Sequence, residues 1–129
     1  YRPRGQGVFF HEASNTDLLF VTLHKTETEY SPTTMYEDYP LSPTEFHWES
    51  QNNTAPHTPV GRRYLDPQNS ILLFARDKRK DERGVTIPYT FLGKVHCVRA
   101  EGERPMRIVW RLERPMPWGW FEQMKVAAG

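Results

Sequence analysis

Leu18-Leu19-Phe20-Val21-Thr22-Leu23 and Ile71-Leu72-Leu73-Phe74-Ala75 decide how this chain folds. Each is a short apolar run bounded by turn-forming or charged residues. Such runs are too short for a buried helix, and they predict strands near the centre of a sheet. Further along, Tyr89 to Val98 and Met106 to Leu112 alternate more plainly. In the second of these, Met106, Ile108, Trp110 and Leu112 share one face, while Arg107, Val109 and Arg111 share the other, which is expected to be solvated. The mixed-charge run Arg76 to Gly84 between two of these strands reads as a hairpin tip or exposed loop. Ser42-Pro43-Thr44-Glu45 carries helix-start chemistry: a serine cap, a proline suited to the first helical position, and a glutamate placed to close a capping box. It predicts a short helix from Phe46 to Gln51, followed by a surface loop from Asn52 to Pro59. Gly119 to Ala128 forms either a terminal helix or a segment whose Trp118 and Trp120 pack on a sheet edge. The fold class is α+β and strand-rich, a curved antiparallel or mixed sheet with one or two short helices.

At 129 residues the chain suits one compact domain, read as a flank over 1–17, a core over 18–117 and a C-terminal segment over 118–129. Hydrophobic residues are 37% and charged ones 26%, but aromatics reach 13% and are spread along the whole length, so a core can be built largely from rings. A formal charge of +1 means that any contact with a polyanion must come from local clusters of Lys and Arg. The single cysteine, Cys97, excludes an internal disulfide and fits a reducing compartment, the cytoplasm. No run approaches the roughly 18 apolar residues of a membrane span. The N-terminus has no secretory pattern, and the starting Tyr1 suggests a fragment of something longer. There is no internal repeat.

The search for chemistry returns mostly absences. There is no phosphate-binding glycine loop, no paired-cysteine zinc spacing and no nucleophile elbow, and His11, His24, His47, His57 and His96 lack metal-ligand spacing. His96 and Cys97 are adjacent in a strand and point to opposite faces, so they cannot share a proton. Asp77, Asp81 and Glu82 sit in the charged loop, where carboxylates are solvated rather than arranged for magnesium. The expectation is a non-catalytic domain without metal or cofactor. What remains is a concentration of rings and polar groups between Ser31 and Tyr64. Tyr36, Tyr39, Phe46, Trp48 and Tyr64 stand among Asp38, Ser50, Gln51, Asn52, Asn53, Arg62 and Arg63. These residues either line a pocket or anchor a helix and cover the sheet, and residue chemistry leaves both readings open.

Several strings lie in order along the chain: Leu18 to Leu23, Ser31-Pro32-Thr33-Thr34-Met35-Tyr36-Glu37-Asp38-Tyr39, Phe46-His47-Trp48-Glu49-Ser50-Gln51, Gly61-Arg62-Arg63-Tyr64, Tyr89-Thr90-Phe91-Leu92-Gly93 and Gly102-Glu103-Arg104-Pro105-Met106. Together they resemble the C-terminal domains, long labelled as of unknown function, of SauUSI-like type IV restriction proteins. Those bacterial proteins join a phospholipase D-type nuclease and a DEAD/DEAH helicase to this terminal domain. The resemblance runs from Leu18 to Pro117. It implies a reader of 5-methylcytosine or 5-hydroxymethylcytosine in double-stranded DNA, serving upstream helicase and nuclease domains of the same polypeptide in the bacterial cytoplasm. By analogy the fold is expected to be β-barrel-like, as in the SET-and-RING-associated readers, with a B3-like pseudobarrel as the rival.

Laid against these residues, that function assigns roles. A flipped-out base needs rings to stack on, and Tyr36, Tyr39, Trp48 and Tyr64 are the candidates for a cage. Asp38 can accept from the exocyclic amine of cytosine, where thymine would present a repelling carbonyl; the competing role for Asp38 is a turn or cap before Pro40. Thr33, Thr34, Arg62, Arg63, Arg79 and Lys80 are candidates for phosphate contacts, with plain surface decoration as the alternative. Ser50, Gln51, Asn52 and Asn53 offer groups for the gap left in the duplex. Two rival functions are a protein-interaction or scaffolding domain of the helicase assembly and a sequence-independent DNA clamp. A nucleobase-modifying enzyme would need a nucleophile or activated water that the sequence does not display.

Overall fold

A computed structural model describes residues 7–24 and 38–128. The two apolar runs are the spine of a sheet of seven strands: β1 (Val8–His11), β2 (Thr16–His24), β3 (Tyr39–Ser42), β4 (Glu45–Glu49), β5 (Ser70–Lys78), β6 (Thr90–Glu101) and β7 (Arg107–Leu112). The spatial order is β1-β2-β5-β6-β7-β4-β3. β2 and β5 lie parallel, with Leu18 beside Leu72 and Phe20 beside Phe74, and the other pairings are antiparallel, so the sheet is mixed.

Alternation decides what each strand buries. Asp17, Leu19, Val21 and Leu23 of β2 and Ile71, Leu73 and Ala75 of β5 face the core, as do Phe46 and Trp48 of β4. Met106, Ile108, Trp110 and Leu112 are buried together as the period-2 pattern predicts, with Arg107 and Arg111 exposed. Val109 departs from that pattern: it is buried on the arginine face, flanked across the sheet by His47 and Arg99. Two short helices complete the domain, α1 (Pro59–Leu65) and α2 (Trp118–Ala128). α2 packs on β3 at one flank of the sheet and on β2 and β5 toward the other, so the sheet curves around it. The edges β1 and β3 do not pair with each other, and the sheet is open rather than a closed barrel. Phe121 and Met124 of α2 enter the core and Trp120 packs against it, whereas Trp118 stays exposed beside Phe121.

Two local readings of the sequence are corrected. The helix predicted over Phe46 to Gln51 is instead strand β4, paired with β7 from Glu45 opposite Arg111 to Glu49 opposite Arg107. The Ser42 hydroxyl does cap, but it accepts from the Thr44 amide at 3.2 Å, closing the tight β3–β4 turn rather than a helix. Phe46 and Trp48, two residues apart, both reach the core only in an extended chain, and opposite charges on β4 and β7 align in that register. The second correction is the loop expected over Asn52 to Pro59. Asn52 and Asn53 form an exposed turn, but Thr54 and Ala55 are buried and Pro59 opens α1. Thr58 is its N-cap, its side chain accepting from the Gly61 amide at 3.1 Å, and Pro59 sits at the start of the helix. The stretch read as a flank contributes edge strand β1.

Gly61 is where this corner is tightest. A Cβ added there would overlap the Ala55 carbonyl and stand 3.1 Å from the Met106 sulfur. Backbone cannot move aside as a side chain can, so Gly61→Ala is expected to destabilise the domain by about 1–3 kcal/mol or more, read from the urea unfolding midpoint. An unchanged midpoint would show that α1 and the Ala55 turn separate freely.

Candidate functional site

Of the residues singled out from sequence, Asp38, Tyr39, Trp48, Ser50 to Asn53 and Arg62 to Tyr64 lie on or beside strands β3 and β4, the loop 50–58 and α1. Ser50 ties that loop to β7: its amide donates to the Met106 carbonyl at 2.9 Å, and its hydroxyl accepts from the Met106 amide at 2.8 Å. Gln51 Oε1 then accepts from the Tyr64 hydroxyl at 3.0 Å and from the Thr54 hydroxyl at 3.1 Å. Ser50 and Gln51, candidates for the gap in a duplex, are thus engaged in holding the loop, while Asn52 and Asn53 are exposed at its tip.

The rings divide between the two faces. Trp48 and Tyr64 are buried at 3% and 2% exposure. They meet edge-to-face at 5.2 Å and share the core with Trp110 at 5.8 Å and 6.2 Å respectively. Burial pushes the Tyr64 hydroxyl well above the usual phenol range. Tyr39 lies directly opposite His47 across the β3–β4 pair, and their rings stack at 4.7 Å with planes 15° apart. His47 and Trp48 are neighbours on one strand and project to opposite faces. Tyr39 therefore projects from the face opposite to Trp48, although at this edge it is half-buried and also packs against the core, and the three rings do not stand together as one cage. Tyr36, Thr33 and Thr34 lie outside the described residues. Asp38 is half-buried beside Tyr39, and its Oδ1 accepts from the Glu49 amide at 2.9 Å. That bond fixes the carboxylate against the end of β4.

The candidate phosphate contacts are also separated. Arg63 donates from Nε and Nη2 to the Oδ2 and Oδ1 of Asp17 at 2.9 and 3.0 Å. Asn69 Nδ2 completes the set with bonds to Asp17 Oδ2 at 2.9 Å and to the Arg63 carbonyl at 3.3 Å. The Arg63 guanidinium also covers the Phe10 ring at 3.9 Å. This arginine is a strut between α1 and β2, and its own pKa is raised, first by the bond to Asp17. Arg62, one residue earlier, is exposed. Arg79 and Lys80 follow β5 at its far end, whereas α1 leads into the beginning of β5, so the register puts them at the opposite pole from Arg62. There Asp81 shapes the hairpin tip, accepting from the Arg83 and Val85 amides at 2.8 and 2.9 Å.

Asp17, fully buried, is the residue that sequence reasoning missed. The signal was present: Asp17 shares the alternating positions of Leu19, Val21 and Leu23, which places it inward. His96 and Cys97 do part as their adjacency requires. His96 Nε2 meets Glu113 at 2.6 Å on the surface, holding that carboxyl below its usual range, and half-burial pushes the Cys97 thiol up. Among the described residues no cluster of three or more His, Cys, Asp or Glu can hold a metal ion. Among the same residues no helix is long and apolar enough to cross a membrane.

The architecture defines a strand-rich α+β domain with an open, curved mixed sheet, whose candidate site lies at the β3–β4 edge and the adjoining loop. Residues 2–124 match the family described as Domain of unknown function (DUF3427), and the chain belongs to that family. No curated protein matches it.

Proposed function

We propose that this domain is a non-catalytic reader of 5-methyl- or 5-hydroxymethylcytosine in double-stranded DNA. Its place would be that of the target-recognition part of a type IV restriction helicase–nuclease acting in the bacterial cytoplasm. The observation that carries the reading is the edge pair Tyr39–His47 beside the anchored carboxylate of Asp38. A flat stacked pair on an edge strand offers a platform for one more ring, and base-on-aromatic stacking is worth about 1–3 kcal/mol. A carboxylate can accept from several donors at once, and Asp38, held by the Glu49 amide among its contacts, is the group proposed to favour the amine of cytosine over the carbonyl of thymine. Asn52 and Asn53, exposed at the neighbouring turn, supply amides for the duplex, and Arg62 supplies a cation for its phosphates. The ordered string resemblance running from Leu18 to Pro117 supports the same reading.

The test is a titration of the chain against matched duplexes carrying cytosine, 5-methylcytosine or 5-hydroxymethylcytosine at two salt concentrations. The expected result is a preference of about tenfold or more for a modified duplex, equivalent to about 1.4 kcal/mol, lost in Asp38→Ala. Equal, salt-sensitive binding to all three would make the domain a general DNA clamp. No binding at all would leave the scaffolding role in its place.

A further inference from the structure

The face of the sheet turned away from the core carries an aromatic ladder that the proposed reader site does not use. Phe20, Phe74 and Phe91 are side by side in register on β2, β5 and β6. Their rings follow one another at 4.8 and 4.9 Å, which is the spacing of the strands beneath them. The ladder ends at Phe91, which is 58% exposed, and one row along the sheet Phe9 of β1 is 55% exposed. Phe91, tilted 39° from Phe74, therefore offers ring surface to solvent at the end of a row whose other members are half-buried.

Cations flank these rings. Arg76 and Lys78 occupy outward positions of β5, and Lys94 lies opposite Leu72 on β6, three residues after Phe91. Arg76 is fixed in place, donating to the Thr22 hydroxyl at 3.0 Å and the Ile87 carbonyl at 2.9 Å with its guanidinium 4.1 Å above the Tyr89 ring. Among the described residues, the outward positions of β2 and β5 hold no carboxylate: Asp17 faces the core and Asp77 falls on the inward alternation. Glu113, which reaches this face from the end of β7, is paired with His96 and also acts on Lys94, so the fringe is mainly, not wholly, cationic. A protein partner would match an apolar face with apolar side chains and has no need of this mainly cationic fringe. A polyanion whose apolar rings are unstacked matches both features.

We propose that this face binds single-stranded nucleic acid, with a base continuing the Phe20–Phe74–Phe91 ladder on the ring of Phe91 and the phosphates drawn to Lys94 and Lys78. The ladder lies on the same face as the Tyr39–His47 pair but three or more strands away from β3, on β2, β5 and β6, and does not depend on what that edge reads.

The test uses the 129-residue chain and a fluorescein-labelled oligothymidylate, with an abasic strand of equal length as the control for phosphate attraction alone. Phe91→Ala is expected to weaken oligothymidylate binding about tenfold or more while leaving the weak abasic binding unchanged. Phe91→Tyr should keep the affinity, since it keeps a ring. Lys94→Ala should lower the slope of log affinity against log salt by about 0.7. Each variant is checked for an unaltered thermal midpoint, which the exposure of both side chains favours. Discrimination between modified and plain duplex is measured on the same Phe91→Ala protein and should persist, so failure of one surface is distinguishable from failure of the other. Equal binding of the abasic strand, or Phe91→Ala binding as tightly as the parent, overturns the proposal. So does a concentration-dependent dimer abolished by Phe91→Ala, which would make a second copy of the chain the occupant of this face.

Discussion

Arg63→Ala is expected to cost about 3–5 kcal/mol of folding stability, because it strips the bidentate partner from a carboxylate with no access to water. Asp17 is fully buried, and without Arg63 it would keep, among the described residues, only the Asn69 amide at 2.9 Å. The loss is an unpaired buried charge more than a lost attraction. It follows that removing both partners is gentler than removing one: Asp17→Leu combined with Arg63→Met should be more stable than Arg63→Ala alone. Urea unfolding of the single and double variants reads this directly, and the double-mutant cycle gives the coupling. The outcome also separates two roles for one arginine. From sequence, Arg63 was expected at DNA phosphates, where its loss would weaken all duplexes and flatten the salt dependence while sparing the fold. In the folded domain its guanidinium is committed to Asp17 and to the Phe10 ring, so the effect belongs in the unfolding curve. A variant as stable as the parent would mean that water or another group takes over Asp17.

The second large effect distinguishes rings that look equivalent in the sequence. Trp48→Ala is expected to lose about 3–5 kcal/mol, the usual range for deleting a buried aromatic, because it opens a void between Tyr64 and Trp110. Tyr39→Ala removes one cross-strand ring pair, worth about 0.2–1 kcal/mol, and leaves the core rings in place. On the proposed function it is Tyr39→Ala, not Trp48→Ala at a temperature where the variant remains folded, that abolishes preference for modified cytosine. Thermal unfolding beside duplex titration measures both. If the folded fraction of Trp48→Ala loses discrimination while Tyr39→Ala keeps it, the base is read on the core side of the sheet and the edge pair is structural.

How far the site was legible follows from the same residues. Asp38 and Tyr39 stand out in the sequence as candidates because an acid among rings is conspicuous. Their setting was not found, because Ser42-Pro43-Thr44-Glu45 satisfies a helix start and a strand turn equally well. Only the pairing of β4 with β7, across about half the chain, selects the strand. Once Phe46 to Glu49 is extended, successive rings go to opposite faces and the single cage divides. The aromatic ladder of Phe20, Phe74 and Phe91 was hidden differently. Leu18 to Leu23 and Ile71 to Ala75 read as strands near the centre of a sheet, and an unbroken apolar run does not tell which of its two faces is covered; here one face is covered by helices and the other is open.

By itself the sequence determined that β2, β5, β6 and β7 are strands, that the charged run around Asp81 connects two of them, though its first three residues, Arg76 to Lys78, belong to β5, and that the chain is strand-rich. These are properties of neighbours, set by side-chain period and turn chemistry within a few residues. Only the tertiary structure decided which rings are core and which are surface, and that Arg63 answers Asp17 rather than solvent. Those partners lie 46 residues apart, and their energies exist only once the folded chain has excluded water from between them.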